Sequence, residues 1–183
     1  LRVAPFAPGD GPIFMRADRL GGVAGSYVEA EGKVELRTRG ETVLADWLHY
    51  DFNLDEIWGK GGVVLRRGPD SISGTEAKFK RDTETGYFRE PRFVIGSNGG
   101  RGSASMLEFN GPDRFDVTDG RYSTCVAPRE DWYVRMDELE IDQKRRVGTG
   151  RESLRGPCSD GQGRADRRDR RARRYRDAGD GWV

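Results

Sequence analysis

Apolar and polar residues alternate with a period of two along most of this chain, and the alternation restarts about every thirty residues. Ile13-Phe14-Met15-Arg16-Ala17, Val34-Glu35-Leu36-Arg37-Thr38, Phe93-Val94-Ile95 and Trp132-Tyr133-Val134-Arg135-Met136 are its clearest runs. Such alternation turns one set of side chains inward and leaves the other in water, as in half-buried strands. Turn chemistry separates the runs: Gly40-Glu41, Gly68-Pro69-Asp70, Asp82-Thr83-Glu84-Thr85-Gly86, Asn98-Gly99-Gly100 and Gly111-Pro112-Asp113. No helical periodicity lasts longer than about two turns. The pattern predicts an all-β sandwich, barrel or roll, with a simple solenoid as the nearest competitor.

The strands come in pairs, and the pair recurs. Its first member opens at Ala17-Asp18-Arg19-Leu20, returns as Ala45-Asp46-Trp47-Leu48, and recurs more loosely at Glu76-Ala77-Lys78-Phe79, Ser103-Ala104-Ser105-Met106 and Met136-Asp137-Glu138-Leu139. Its second member opens with a predicted turn at Gly32, Gly61, Pro91 and Gly120, positions 29, 30 and 29 residues apart. A fixed period of this size marks stacked units, none of which can bury its apolar face alone. A scaffold presenting a continuous surface is therefore expected, not an enzyme built around one pocket.

Composition sharpens this picture. The chain has 183 residues, of which 34% are hydrophobic and 34% charged, a balance that short strands with one wet face would produce. Residues 1–11 are Pro/Gly-rich and read as a disordered lead-in. The repeats occupy 12–151. Residues 152–183 lack alternation and lysine and draw mostly on Arg, Asp, Gly and Ala. That tail reads either as a basic arm for nucleic acid or anionic lipid, or as an unfolded segment such as an out-of-frame tail. From Arg151 onward there are 10 Arg against 5 Asp and one Glu, leaving 22 basic and 25 acidic residues before it. A mildly acidic repeat domain gives no electrostatic reason to expect nucleic acid. The start at Leu1 suggests a removed signal peptide or a piece of a longer chain.

Candidate chemistry is sparse. His49 is the only histidine and has no cysteine cluster nearby, so neither a metal nor a catalytic site is expected. Asp55-Glu56, Glu138 with Glu140, and Asp137 with Asp142 lack calcium-loop spacing; alternation puts Glu138 and Glu140 on one solvated face. Gly59-Lys60-Gly61-Gly62 and Gly99-Gly100-Arg101-Gly102 lead into strands, so turns are expected there instead of phosphate cradles. Trp47, Trp58 and Trp132 are expected at the rims of the roll. One face of the alternation collects Ile13, Met15, Val34, Leu36, Val63, Leu65, Phe93 and Ile95. These residues either fill a core or line a slot, since both roles impose the same alternation.

A further stretch carries a family resemblance. Asp119-Gly120-Arg121-Tyr122-Ser123-Thr124-Cys125, Asp131-Trp132-Tyr133-Val134-Arg135, Glu140-Ile141-Asp142 and Val147-Gly148-Thr149-Gly150 resemble the periplasmic N-terminal domain of the LptD lipopolysaccharide-assembly family. The earlier repeats look like the OstA-type repeat shared with the soluble bridge protein LptA. The resemblance runs from about Pro12 to Arg151. It implies a β-jellyroll, or β-taco, whose interior receives the acyl chains of lipopolysaccharide along Ile13, Met15, Val34, Leu36, Val63, Leu65, Phe93 and Ile95. It implies that the edge strand Ile13, Phe14, Met15, Arg16 and Ala17 pairs with an LptA-like bridge, and that full-length relatives also hold an LptE-like lipoprotein plug. Cys125 becomes the candidate for a disulfide to the family's barrel, its alternative being a buried thiol. Cys158 matches nothing in the family. The implied place is the periplasmic face of the cell outer membrane, with no cofactor, no metal and no catalysis. After Arg151 no barrel-like alternation of about 9–11 residues follows, so this chain is expected to be soluble and without the transmembrane barrel. The alternative functions are a soluble OstA-like bridge protein and a lipid-free β-repeat binding module.

Overall fold

The computed structural model describes residues 13–125, 132–145, 147–157 and 173–176, and these contain strands and turns but no helix. The strands are β1 (Phe14–Arg16), β2 (Arg19–Val23), β3 (Tyr27–Thr38), β4 (Glu41–Asp51), β5 (Glu56–Arg67), β6 (Asp70–Lys80) and β7 (Thr85–Arg89). They continue as β8 (Arg92–Ile95), β9 (Gly100–Ser103), β10 (Met106–Asn110), β11 (Arg114–Ser123), β12 (Trp132–Asp142), β13 (Val147–Pro157) and β14 (Arg173–Arg176). All are joined in one antiparallel sheet.

That sheet is folded over on itself. The C-terminal half of β3 pairs with β1, whereas its N-terminal half pairs with β2. Likewise β6 pairs with β8 through 71–73 and with β7 through 76–80. β11 pairs with β10 through 115–118 and with β9 through 121–123. Two leaves result. The first contains β1, 34–38, 41–44, 63–67, 70–74, β8, β9, 121–123 and the start of β12. The second contains β2, 27–31, 47–51, 56–60, 76–80, β7, β10, 114–118 and the end of β12. This is the β-taco expected from the sequence.

The corner between the leaves explains the repeat. Gly32, Gly61, Glu90 and Asp119 all have left-handed φ, between 48° and 79°, and follow one another at steps of 29 residues. In β3 and β5 the registers shift at Gly32-Lys33 and Gly61-Gly62, where two residues face one on the neighbouring strand. Such a bulge bends a strand without ending it. Asp18 and Asp46, the aspartates of the first repeat signature, lie over these glycines. A Cβ on Gly32 would come within 2.6 Å of the Asp18 carboxylate, and one on Gly61 within 2.5 Å of that of Asp46. Gly32 and Gly61 are thus strand corners, not the hairpin turns expected, and Gly59-Lys60-Gly61-Gly62 lies inside β5. Hairpins form elsewhere, as at 39–40, 52–55 and 97–99.

Alternation then buries one side of each leaf. Ala30, Val34, Leu36, Val43, Leu48, Val63, Phe79 and Phe88 are each no more than 2% exposed. Each large side chain removed from water is worth about 1.5–3 kcal/mol. The expected domain end at 151 falls within β13, which runs on to Pro157, and Arg173–Arg176 pairs with its N-terminal half. Backbone pairing needs no apolar alternation, so composition could not reveal these strands. The rest of 152–183, Cys158 included, and the lead-in 1–11 lie outside the described residues.

Candidate functional site

The interior between the leaves is the candidate site, and the sequence reading found only half of it. Met15, Val34, Leu36, Val63, Leu65, Phe93 and Ile95 all belong to the first leaf and turn inward. Val34, Leu36, Val63, Leu65 and Ile95 are buried, and Met15 and Phe93 are partly buried. Ile13 precedes β1 and is 40% exposed. The second leaf supplies the opposite wall, with Leu48, Ile57, Phe79, Phe88, Leu107 and Phe109 buried along it. The Phe109 ring meets Phe79 and Phe88 edge-on, at centroid separations of 6.0 and 6.3 Å. Leu107 and Phe109, flanking Glu108, are the one clean alternating signal for this second wall.

Farther along the first leaf the lining becomes aromatic. Phe93 stacks with Tyr122 at 6.4 Å, and Tyr122 meets Trp132 edge-on at 6.1 Å. Gly102 permits this, because a Cβ there would collide with the Phe93 ring. Burial raises the pKa of the Tyr122 hydroxyl, opposed by its hydrogen bond from Asn98.

Polar groups close the hairpin ends of the interior. On the first leaf the Arg67 guanidinium donates to the buried Glu41 carboxylate. On the second, Tyr50 donates to Asp55 at 2.7 Å, and Arg81 donates to the Tyr50 oxygen at 3.0 Å. Burial, and then the bond to Asp55, raise the Tyr50 pKa. Between these ends the side chains are closely packed. A cavity of about 10 Å³ remains, lined by Val43, Ile57, Gly59, Val63, Leu65, Ala77, Phe79 and Phe88. That is at most room for one water.

The remaining sequence candidates fall outside this interior. The N-terminal edge consists of both β1 and β2, so it is longer than the stretch from Ile13 to Ala17. Cys125 follows β11; its N–H donates to Ser123 Oγ at 3.0 Å and its thiol lies 3.7 Å from the Trp132 carbonyl oxygen. Trp47 and Trp58 are not at rims. They lie on the outer face of the second leaf, donating to Glu29 and Glu76, and His49 stacks between Tyr27 and Trp47 there. Alternation places them outward because Leu48 and Ile57 point inward. Glu76 also accepts from Tyr87, and that bond chiefly lowers its pKa. Glu138 and Glu140 are exposed on one face, as expected. Among the described residues no cluster of three or more His, Cys, Asp or Glu side chains could hold a metal.

Known proteins share this repeat. LPS-assembly protein LptD of Nitrosomonas eutropha is 35% identical over 140 residues, covering 76% of this chain and 19% of the relative. The LptD of Thiobacillus denitrificans is 34% identical over 149 residues, covering 81% and 20%. Over these segments the chain is homologous to LptD. It spans about a fifth of the length of these relatives. No family model matches. Among solved structures, LptH of Pseudomonas aeruginosa, described as the LptA-homologous periplasmic component of the lipopolysaccharide transport device, aligns at 11% identity with a TM-score of 0.47. The alignment covers 54% of this chain and 76% of LptH.

Proposed function

We propose that this domain handles lipopolysaccharide on its way to the outer membrane, with the interior between the leaves receiving acyl chains. The homology to LPS-assembly proteins carries this reading. The apolar lining, continuous from Met15 to the aromatic set at Trp132, supports it, since hydrocarbon transfer from water is worth about 0.8 kcal/mol per CH₂. The cavity of about 10 Å³ between Val63 and Phe88 is too small for an acyl chain, so loading there requires the leaves to part. The N-terminal edge is the proposed docking strand for an LptA-like bridge, by β-augmentation in the periplasm. Cys125 is the proposed partner of a cysteine in a barrel.

A photo-crosslinking residue at Leu36 or Phe93 should give adducts with lipopolysaccharide during export. The same residue at Glu35 or Arg92, on the outer face, should give none, and adducts from those positions alone would reverse the assignment. Met15→Pro removes a backbone donor from β1 and should weaken bridge binding, whereas Met15→Ala, which trims the same inward side chain and keeps the donor, should not. Unchanged binding of Met15→Pro would exclude this edge.

The close packing favours one competing reading, a lipid-free β-repeat binding module. Under that reading no interior position would crosslink to lipid.

A further inference from the structure

The two outer faces differ in charge: the first leaf's is cationic and the second leaf's is mixed. On the first leaf, Arg16, Arg37, Arg66, Arg92, Arg121 and Arg135 stand exposed and face outward, because their strand neighbours Met15, Leu36, Leu65, Phe93, Tyr122 and Val134 face in. Across the paired outer positions of this leaf the one carboxylate is Glu35, which Arg37 holds at 2.6 Å. Acids lie instead along the corner, at Asp18, Asp46 and Asp119, and on the second leaf, where exposed Glu29, Glu108, Glu138 and Glu140 are mixed with exposed Arg19, Lys60, Arg89 and Arg114. A net charge of +1 conceals this division.

The geometry points to the first leaf's outer face as a docking surface for an anionic phospholipid membrane. From β1 to β12 that leaf has nine strands, so the arginines spread along about 38 Å at a strand spacing of about 4.8 Å. One phosphate cannot satisfy so extended a row, whereas a plane of phosphate headgroups can. Apolar and aromatic groups share the face. Phe14 is 65% exposed and Val94 47%, and the Arg121 guanidinium lies 4.3 Å from the centre of the Tyr133 ring. Cations interspersed with apolar and amphipathic side chains suit a headgroup boundary, and a nucleic-acid backbone would leave Phe14 and Val94 without use. Docked this way, the domain would lie with its cationic leaf on the bilayer and its second, mixed-charge leaf in solution. This inference rests on surface charge and is independent of what fills the interior.

Vesicle co-sedimentation of the full chain tests it. Binding is expected to vesicles containing phosphatidylglycerol, to be absent with phosphatidylcholine alone, and to fall with salt. Replacing Arg66→Gln and Arg92→Gln together should weaken binding about thirtyfold, and Arg135→Gln alone about fivefold. Adding Glu138→Gln and Glu140→Gln to the double variant restores net charge and should not restore binding. Circular dichroism matching wild type establishes that each variant is folded. Three outcomes would overturn the assignment: unchanged binding of the double variant and of Arg135→Gln, recovery in the quadruple variant, or tighter binding to duplex DNA than to anionic vesicles. Sedimentation of the chain without vesicles would likewise assign the face to a second copy.

Discussion

At the scale of single residues, the corner glycines carry the sharpest consequence. Gly61 combines a φ of 74° with the Asp46 carboxylate beside its missing Cβ, whereas Gly62 has a φ of 64° and open space. Gly61→Ala should therefore cost about 1–3 kcal/mol, and Gly62→Ala about 1 kcal/mol. The excess at Gly61 should vanish only in an Asp46→Gly background, which removes the Asp46 Cβ at 2.6 Å as well as the carboxylate, as read by urea midpoints in a double-mutant cycle. Equal losses at both glycines would remove Asp46 from the corner's energetics. Glu76 sets a pH dependence. Bonds from Tyr87 and Trp58 lower its pKa below the ordinary 4.5, so its contribution to stability is present above that value and is lost as pH falls through the lowered one. Glu76→Gln should lower stability most above about pH 4.5 and least in acid, so that the acid limb flattens. An unchanged acid limb would show that the bonds do not favour the charged form.

At the scale of elements, the second wall can be tested by size. Phe88 is 1% exposed and its ring meets Phe109, so Phe88→Ala should cost about 3–5 kcal/mol through lost burial and a new cavity. Val94→Ala, on the outer face, should cost less than about 0.5 kcal/mol. Thermal denaturation distinguishes the two, and similar losses would contradict the inward assignment. The same elements show how much of the site was legible. Leu36 and Phe93 announced themselves by lying in clean alternating runs. Phe79 and Phe88 did not, because Ala77 and Gly86 replace large residues at their inward neighbours and blur the pattern. Trp47 and Trp58 misled because a large aromatic was not expected on a wet face, where Glu29, Glu76 and the Lys60 ammonium, 3.9 Å from the Trp58 ring centre, hold them.

At the scale of the whole molecule, the sheet is a row of strands whose ends need covering. β13 pairs with β12 from Asp142 to Trp132, so a stop after Arg151 would strip the first half of β12 of its neighbour. A stop after Pro157 would keep that neighbour. The shorter chain should melt at least about 3 °C below the longer one, a shift that corresponds to about 1 kcal/mol in a protein of this size. Equal melting temperatures would show that the backbone pairing of 152–157 adds nothing.

The sequence by itself determined the strands, their two-residue alternation, the repeat of about thirty residues and the kinship those residues carry. Each is a local property: alternation follows from the pleat, and the repeat from one unit being copied. Tertiary structure alone decided that Gly32 and Gly61 are corners, that each long strand serves two leaves, and that Phe79 and Phe88 meet Val63 and Leu65 around one cavity of the interior. It also gathered six arginines from distant strands onto one outer face. A bulge becomes visible only as a register shift against a neighbouring strand, and a face only when strands distant in sequence lie side by side.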